Sequence, residues 1–210
     1  MFTLPEIQKA TREGLELLFE ARTKEQSDVE LTQRVFVLAQ MAYTTEQSAE
    51  NSYALGMAYS RRGKDYAAFP YLNQAVLKDP HNGDYHADWA MNLLGLNMPY
   101  MAEQLVIRAK QLDRQNAQYD YALGCVFEHQ KKWEEATRAY TRAKIKLELL
   151  EHPRREDLRF LRCTTESLPR IEQKRQVVKQ ALKEKADFYF REYLASGSPF
   201  AGAPKMIWGM

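Results

Sequence analysis

Between Ala49 and Leu150 the chain repeats its apolar and small positions every 34 residues. The first copy carries Leu55-Gly56, Tyr59, Ala68, Leu72, Ala75 and Pro80. One period on, the same places hold Trp89-Ala90, Leu93, Ala102, Val106, Ala109 and Arg114. The third copy has Leu123-Gly124, Phe127, Ala136, Tyr140, Ala143 and Glu148. Such a period marks a stacked unit of two helices. The small residues at 56, 90 and 124, and at 68, 102 and 136, predict a close approach of the two helices in each hairpin. The large residues at 59, 93 and 127, and at 72, 106 and 140, are expected to fill the space between neighbouring hairpins. One hairpin cannot bury its apolar face alone, so the units must stack. Pro70 falls inside the second predicted helix and should kink or delay it.

The pattern weakens on both sides. Thr3-Leu4-Pro5-Glu6 reads as a helix start, followed by Ile7, Leu15, Leu18 and Phe19. Ser27-Asp28-Val29-Glu30 reads as a capping box. It opens a helix with Val35, Leu38, Met41 and Ala42 on one face. This pair is expected to be a degenerate fourth hairpin that also caps the stack. After Leu150, Glu151-His152-Pro153 predicts a break, and a short helix with Leu158, Leu161 and Arg162 should follow. Ser167-Leu168-Pro169 then looks like a second helix start. The helix from there to Ala195 sets Ile171, Val178, Ala181, Leu182, Phe188 and Tyr189 against Lys174, Arg175, Lys179, Lys183 and Lys185. It reads either as a capping helix with a solvated basic face or as a docking surface for an acidic partner. Glycines and prolines from Ser196 to Met210 preclude a helix. Phe200, Met206, Ile207 and Trp208 make that stretch either a frayed terminus or a docking tail.

The expected organisation is an all-α solenoid of helical hairpins. Residues 1–48 form an N-terminal helical pair, 49–150 three repeats, 151–195 a long C-terminal helical extension, and 196–210 an apolar tail. Composition narrows the function. The 210 residues are 45% apolar and 28% charged with a formal net charge of +2, so no general nucleic-acid footprint is expected. There is no signal-like N-terminus and no apolar run near the length of a membrane span, which favours a cytoplasmic protein. Cys125 and Cys163 lack metal-ligand spacing.

Little in the sequence suggests catalysis. Asp84, His86 and Asp88 are the one metal-like grouping, but residues two apart on a helix do not share a face. Cys125 and His129 have an i, i+4 spacing with no third orienting group, which predicts a packed thiol beside a surface histidine. Phosphate-loop, dinucleotide and hydrolase signatures are absent. No cofactor and no metal are expected.

The slots Leu55-Gly56, Tyr59, Ala68 and Pro80, with their echoes, resemble the tetratricopeptide repeat (TPR) family. The resemblance covers about half the chain, and the second unit departs at Trp89-Ala90 and Arg114. It implies a concave surface, lined by the first helix of each repeat, that receives a peptide. By register that lining is Tyr53 and Met57, Ala87 and Met91, Tyr121 and Cys125, with Ser60, Leu94 and Glu128 deeper. The Lys, Arg and Asn of repeats that clamp a terminal carboxylate are absent from the six shallow slots. The implied groove is apolar, aromatic and rich in adaptable methionine, suited to a hydrophobic peptide segment. The chain's own helices or tail could equally cover part of it. Arg34-Val35-Phe36-Val37-Leu38 and Tyr53-Ala54-Leu55-Gly56-Met57-Ala58 are also similar to the core of type III secretion chaperones for translocator proteins. The resulting expectation is a non-enzymatic adaptor or chaperone. Its rival is a structural subunit of a larger assembly docked through the C-terminal helix and tail; the partner is expected to be a protein or peptide, with a homodimer or membership of a complex left open.

Overall fold

The computed structural model describes residues 2–21 and 29–195, and these form nine α-helices with no strand among the described residues. They are α1 (Leu4–Ala21), α2 (Val29–Thr45), α3 (Ala49–Arg61), α4 (Asp65–Lys78), α5 (Gly83–Gly95), α6 (Pro99–Leu112), α7 (Ala117–His129), α8 (Trp133–Glu148) and α9 (Arg155–Ala195). Consecutive helices pack as hairpins, α1 with α2, α3 with α4, α5 with α6 and α7 with α8, and α9 closes the stack on α8.

The local code that starts and stops these helices has the same 34-residue period. Ser48, Asn82 and Asn116 are the N-caps of α3, α5 and α7, and each side chain accepts a hydrogen bond from the first-turn backbone. The same helices end on left-handed residues, Gly63 (φ 69°), Asn97 (φ 58°) and Lys131 (φ 59°). At each, two backbone bonds reach back over the last turn, as in Lys64 N–H to Tyr59 O at 3.0 Å and Gly63 N–H to Ser60 O at 2.9 Å. This is a Schellman stop. It turns the chain sharply enough for the next helix to pack back on the first.

The hairpins close on small residues. A Cβ added to Gly56 would lie 2.7 Å from Leu72 Cγ, and one added to Gly124 would lie 2.5 Å from the Tyr140 ring. Ala68, Ala90, Ala102 and Ala136 are fully buried. Leu72 and Tyr140 therefore sit over the glycine of their own hairpin, rather than chiefly between hairpins as the pattern suggested. Val106 does pack against the following unit, in a cluster with Ala122, Leu123 and Val126.

The N-terminal pair obeys the same rule. A Cβ on Gly14 would strike Val35 Cγ2. The two are separated by 21 residues, where Gly56–Leu72 and Gly124–Tyr140 are separated by 16. The longer connection takes this crossing out of the 34-residue register, so the pair was legible only as a degenerate hairpin. Glu6 accepts from both the backbone N–H (2.8 Å) and the hydroxyl (2.9 Å) of Thr3, fixing the start of α1. On α2 the buried face is Val35, Ala39 and Ala42, so Met41, placed inward by the sequence, points out at 45% exposure. Ser27 and Asp28, and the side chains of Leu18 and Phe19, lie outside what is described.

Two prolines depart from expectation. Pro70 lies within a continuous α4, and Pro169 within a continuous α9, in place of the two helices expected there. At Pro169 the lost hydrogen bond belongs to the Thr165 carbonyl, and both residues are exposed, so water can satisfy it. Meanwhile Thr164 and Ile171, each 0% exposed, hold both sides of the proline against the stack. Ser167 is buried and caps nothing. The actual start of α9 is marked by Asp157, which accepts from Arg154 N–H at 2.9 Å.

A buried carboxylate ties the last repeats together. Asp120 on α7 is 0% exposed and pairs with Lys110 of α6 and with Arg142 (3.2 Å) and Lys146 (2.6 Å) of α8. Burial alone would raise its pKa, but the lysine hydrogen bonds outweigh that and hold it below the ordinary carboxylate value.

Two substitutions test this packing with opposite signs. Gly124→Ala is expected to destabilise the protein by about 2 kcal/mol, because the buried Tyr140 ring has no room to yield. Lys131→Gly is expected to stabilise it by about 1 kcal/mol, by relieving an L-residue held at positive φ. Denaturant titration of both variants gives the check.

Candidate functional site

Helices α3, α5 and α7 share one face of the stack, and α9 forms a wall at its C-terminal end. Between them lies a concave cavity of about 1230 Å³. All six register-placed residues, Tyr53, Met57, Ala87, Met91, Tyr121 and Cys125, line it, as do Ser60, Leu94 and Glu128. They are not equally accessible. Met57 and Ala87 are 5% and 8% exposed, whereas Met91 is 37% exposed in mid-groove. Tyr121 packs its ring edge on Phe160 of α9, with centroids 5.3 Å apart, so α9 covers part of the third repeat's share. Phe200, Met206, Ile207 and Trp208 lie outside the described residues.

The lining is more polar than the six slots implied. Asp84 and Asp88 stand one turn apart on α5, and each accepts from a tyrosine of a neighbouring repeat. Tyr53 of α3 donates to Asp88 at 2.6 Å and Tyr119 of α7 donates to Asp84 at 2.8 Å. These bonds are rungs between adjacent repeats. Burial, and then the Asp88 charge, holds the Tyr53 phenol well above its ordinary pKa. Burial likewise raises Asp88, partly offset by the Tyr53 hydroxyl. His86 turns away from both carboxylates, and its Nε2 lies 3.0 Å from the Pro80 carbonyl.

Cations reach the groove from outside the repeats. Arg159, Arg170 and Lys174 of α9 join Arg61 of α3 on the lining. Arg170 and Lys174 bind Glu128 at 2.8 and 3.1 Å, and Glu128 also accepts from the Tyr140 hydroxyl at 3.1 Å. No six-slot register could reveal these residues, because they come from a helix without repeat spacing. Asp88 was readable, since it lies 35 residues after Tyr53.

Cys125 is half-buried beside Tyr121 and Tyr140, and the Tyr140 hydroxyl lies 3.4 Å from its Sγ. Burial pushes the thiol up to about 11. His129, one turn on, is exposed. The pair thus lacks the depressed thiol that nucleophilic work requires.

No family model matches the chain, and no curated protein matches it. Solved structures do resemble it. A thermophilic TPR protein of Thermus thermophilus, TTC0263, is 18% identical with a TM-score of 0.60, over 90% of this chain and 97% of that one. MamA is 18% identical with a TM-score of 0.51, over 69% of this chain and 86% of its own. YrrB, described as a TPR protein with an unusual peptide-binding site, is 19% identical with a TM-score of 0.51, over 56% of this chain and 61% of its own. The chain is thus a tetratricopeptide-repeat fold, a helical-hairpin solenoid with an N-terminal capping pair and a long C-terminal helix. Among the described residues no helix is long and apolar enough to cross a membrane.

The thiol environment is directly measurable. In a Cys163→Ser background, alkylation of Cys125 by iodoacetamide is expected to be very slow at about pH 7. Its rate should climb about tenfold per pH unit and level off only near pH 11, since only the thiolate reacts.

Proposed function

We propose that this chain is a non-catalytic protein-binding adaptor that holds a hydrophobic segment of a partner protein in its concave groove. One observation carries the reading: a cavity of about 1230 Å³ is floored by Tyr, Met and Ala side chains from three successive repeats. A groove of that size suits a helix or an extended segment with apolar anchors. Met91 is the natural central contact, being exposed, unbranched and polarizable. The peptide-binding site attributed to YrrB lends support by likeness of fold. The rim adds polarity: Arg61, Asp84 and Asp88 lie toward the N-terminal half, and Arg170 and Lys174 toward α9. A segment with charged flanks around its apolar anchors matches it best.

Catalysis finds little support. Burial pushes the Cys125 thiol up to about 11 and holds the Tyr53, Tyr121 and Tyr140 phenols above their ordinary values, so none is activated as a nucleophile or base. The narrower reading, a secretion chaperone, rests on residues such as Val35, Leu55 and Ala58, which are 1–2% exposed. Those side chains make hairpin packing, so their resemblance speaks to fold and adds nothing about the cargo.

The test begins with a peptide selected from a displayed library and confirmed by calorimetry. Met91→Glu is expected to weaken that peptide by at least about tenfold, because a carboxylate would face its apolar anchor. Tyr66→Glu, on the opposite convex side at 84% exposure, should leave affinity unchanged. Equal affinity for the wild type and Met91→Glu would contradict groove binding.

A further inference from the structure

Among the described side chains Ile171 is the last fully buried one of α9, yet the helix runs on to Ala195. From Gln176 to Arg191 every side chain except the half-buried Ala186 is exposed. This stretch is not uniformly polar. Val177, Leu182, Phe188, Tyr189 and Phe190 are 59–64% exposed, and Val178 is 41% exposed. Together they present roughly 600 Å² of mostly apolar surface, at the upper end of what a monomer shows. Among the described residues this stretch makes no packed core, and in proteins most helical stability comes from packing an amphipathic face.

The geometry points to a second copy of this chain, paired antiparallel along the distal half of α9. Val178, Leu182, Lys185 and Tyr189 follow the 4, 3, 4 spacing of a two-helix seam, with Ala181 and Phe188 on one flank. A two-fold axis between Lys183 and Glu184 makes this seam complementary to itself. Val178 meets Tyr189 of the second copy, Leu182 meets the aliphatic stem of its Lys185, and on the flank Phe188 lies level with the aliphatic stem of its Lys179. Each contact occurs twice, as an isologous interface demands. The seam takes in Val178, Leu182, Phe188 and Tyr189 but not Val177 or Phe190, so it is smaller than the ~800 Å² per partner of a standard interface and fits a weak, reversible pairing.

Charge selects the direction. Lys174 and Arg175 are paired with Glu128 and Glu134 of the stack, so the cationic part of the seam is residues 176–183, where Lys179 and Lys183 give a net +2. Residues 184–191 carry Lys185 and Arg191 against Glu184 and Asp187, a net zero. Parallel pairing would lay the two cationic halves side by side, whereas antiparallel pairing keeps them at opposite ends. Lys185 sits in mid-stripe with its Nζ 5.9 Å from the centroid of the Tyr189 ring, and its stem can pack in the seam while the ammonium snorkels to water.

Sedimentation or light scattering of the full chain, from low to high micromolar concentration, is expected to show a monomer–dimer equilibrium. Leu182→Glu should weaken it by at least about tenfold while circular dichroism stays unchanged, since that side chain touches nothing in its own stack. Direction is read in a Cys125→Ala, Cys163→Ser background with a short bis-maleimide. A mixture of Val178→Cys and Tyr189→Cys chains should cross-link to each other, and Val178→Cys alone should not. Efficient linking of Val178→Cys to itself would overturn the antiparallel pairing. A wild-type chain that stays monomeric throughout, whether or not it binds anionic vesicles, would overturn the dimer.

Discussion

At the crossing of each repeat hairpin, a position with little or no side chain on the first helix meets a large side chain on the second. Gly56 under Leu72 and Gly124 under Tyr140 are the tightest cases, and Ala90, fully buried, holds the equivalent place in the middle hairpin. Even one added carbon would strike the neighbour at the two glycines. The short distance between the helices fixes how each hairpin tilts, and the left-handed stops at Gly63, Asn97 and Lys131 deliver the chain to it. Because all three hairpins share the constraint, α3, α5 and α7 come to one face. The concave groove follows from this.

Polar contacts then lock the repeats to one another. The Tyr53–Asp88 and Tyr119–Asp84 bonds join α5 to both neighbours, and Asp120 gathers cations from α6 and α8. The buried Asp120 and the half-buried Asp88 respond oppositely to acid. Asp120, held below its ordinary pKa, contributes stability that is lost as pH falls through its folded value. Asp88, held above its ordinary pKa chiefly by burial, is relieved of a desolvation penalty when it protonates. The same tyrosines that floor the groove are thus fixed by its carboxylates, which presents a preformed surface and lowers the entropic cost of binding.

The repeats were legible because periodicity repeats one physical requirement three times. The caps at Ser48, Asn82 and Asn116 carry the same period and could have been read with it. What failed to show had no such redundancy. Gly14 and Val35 form a matching crossing, but a longer connection breaks their spacing. Ser167-Leu168-Pro169 has the local chemistry of a helix start. Only the burial of Thr164 and Ile171 on either side keeps α9 continuous, and that is a tertiary fact. The groove's floor came from register alone, while its basic wall of Arg159, Arg170 and Lys174 came from a helix whose return across the third repeat has no sequence signature.

The central claim is that the face shared by α3, α5 and α7 is the binding surface, and backbone hydrogen exchange reads this most directly. With a selected peptide bound, exchange is expected to slow in α3, α5, α7 and the first half of α9, where the groove residues lie. The convex helices α4 and α6 should change little. Protection confined to those convex helices, or to the half of α9 beyond Arg175, would contradict the account.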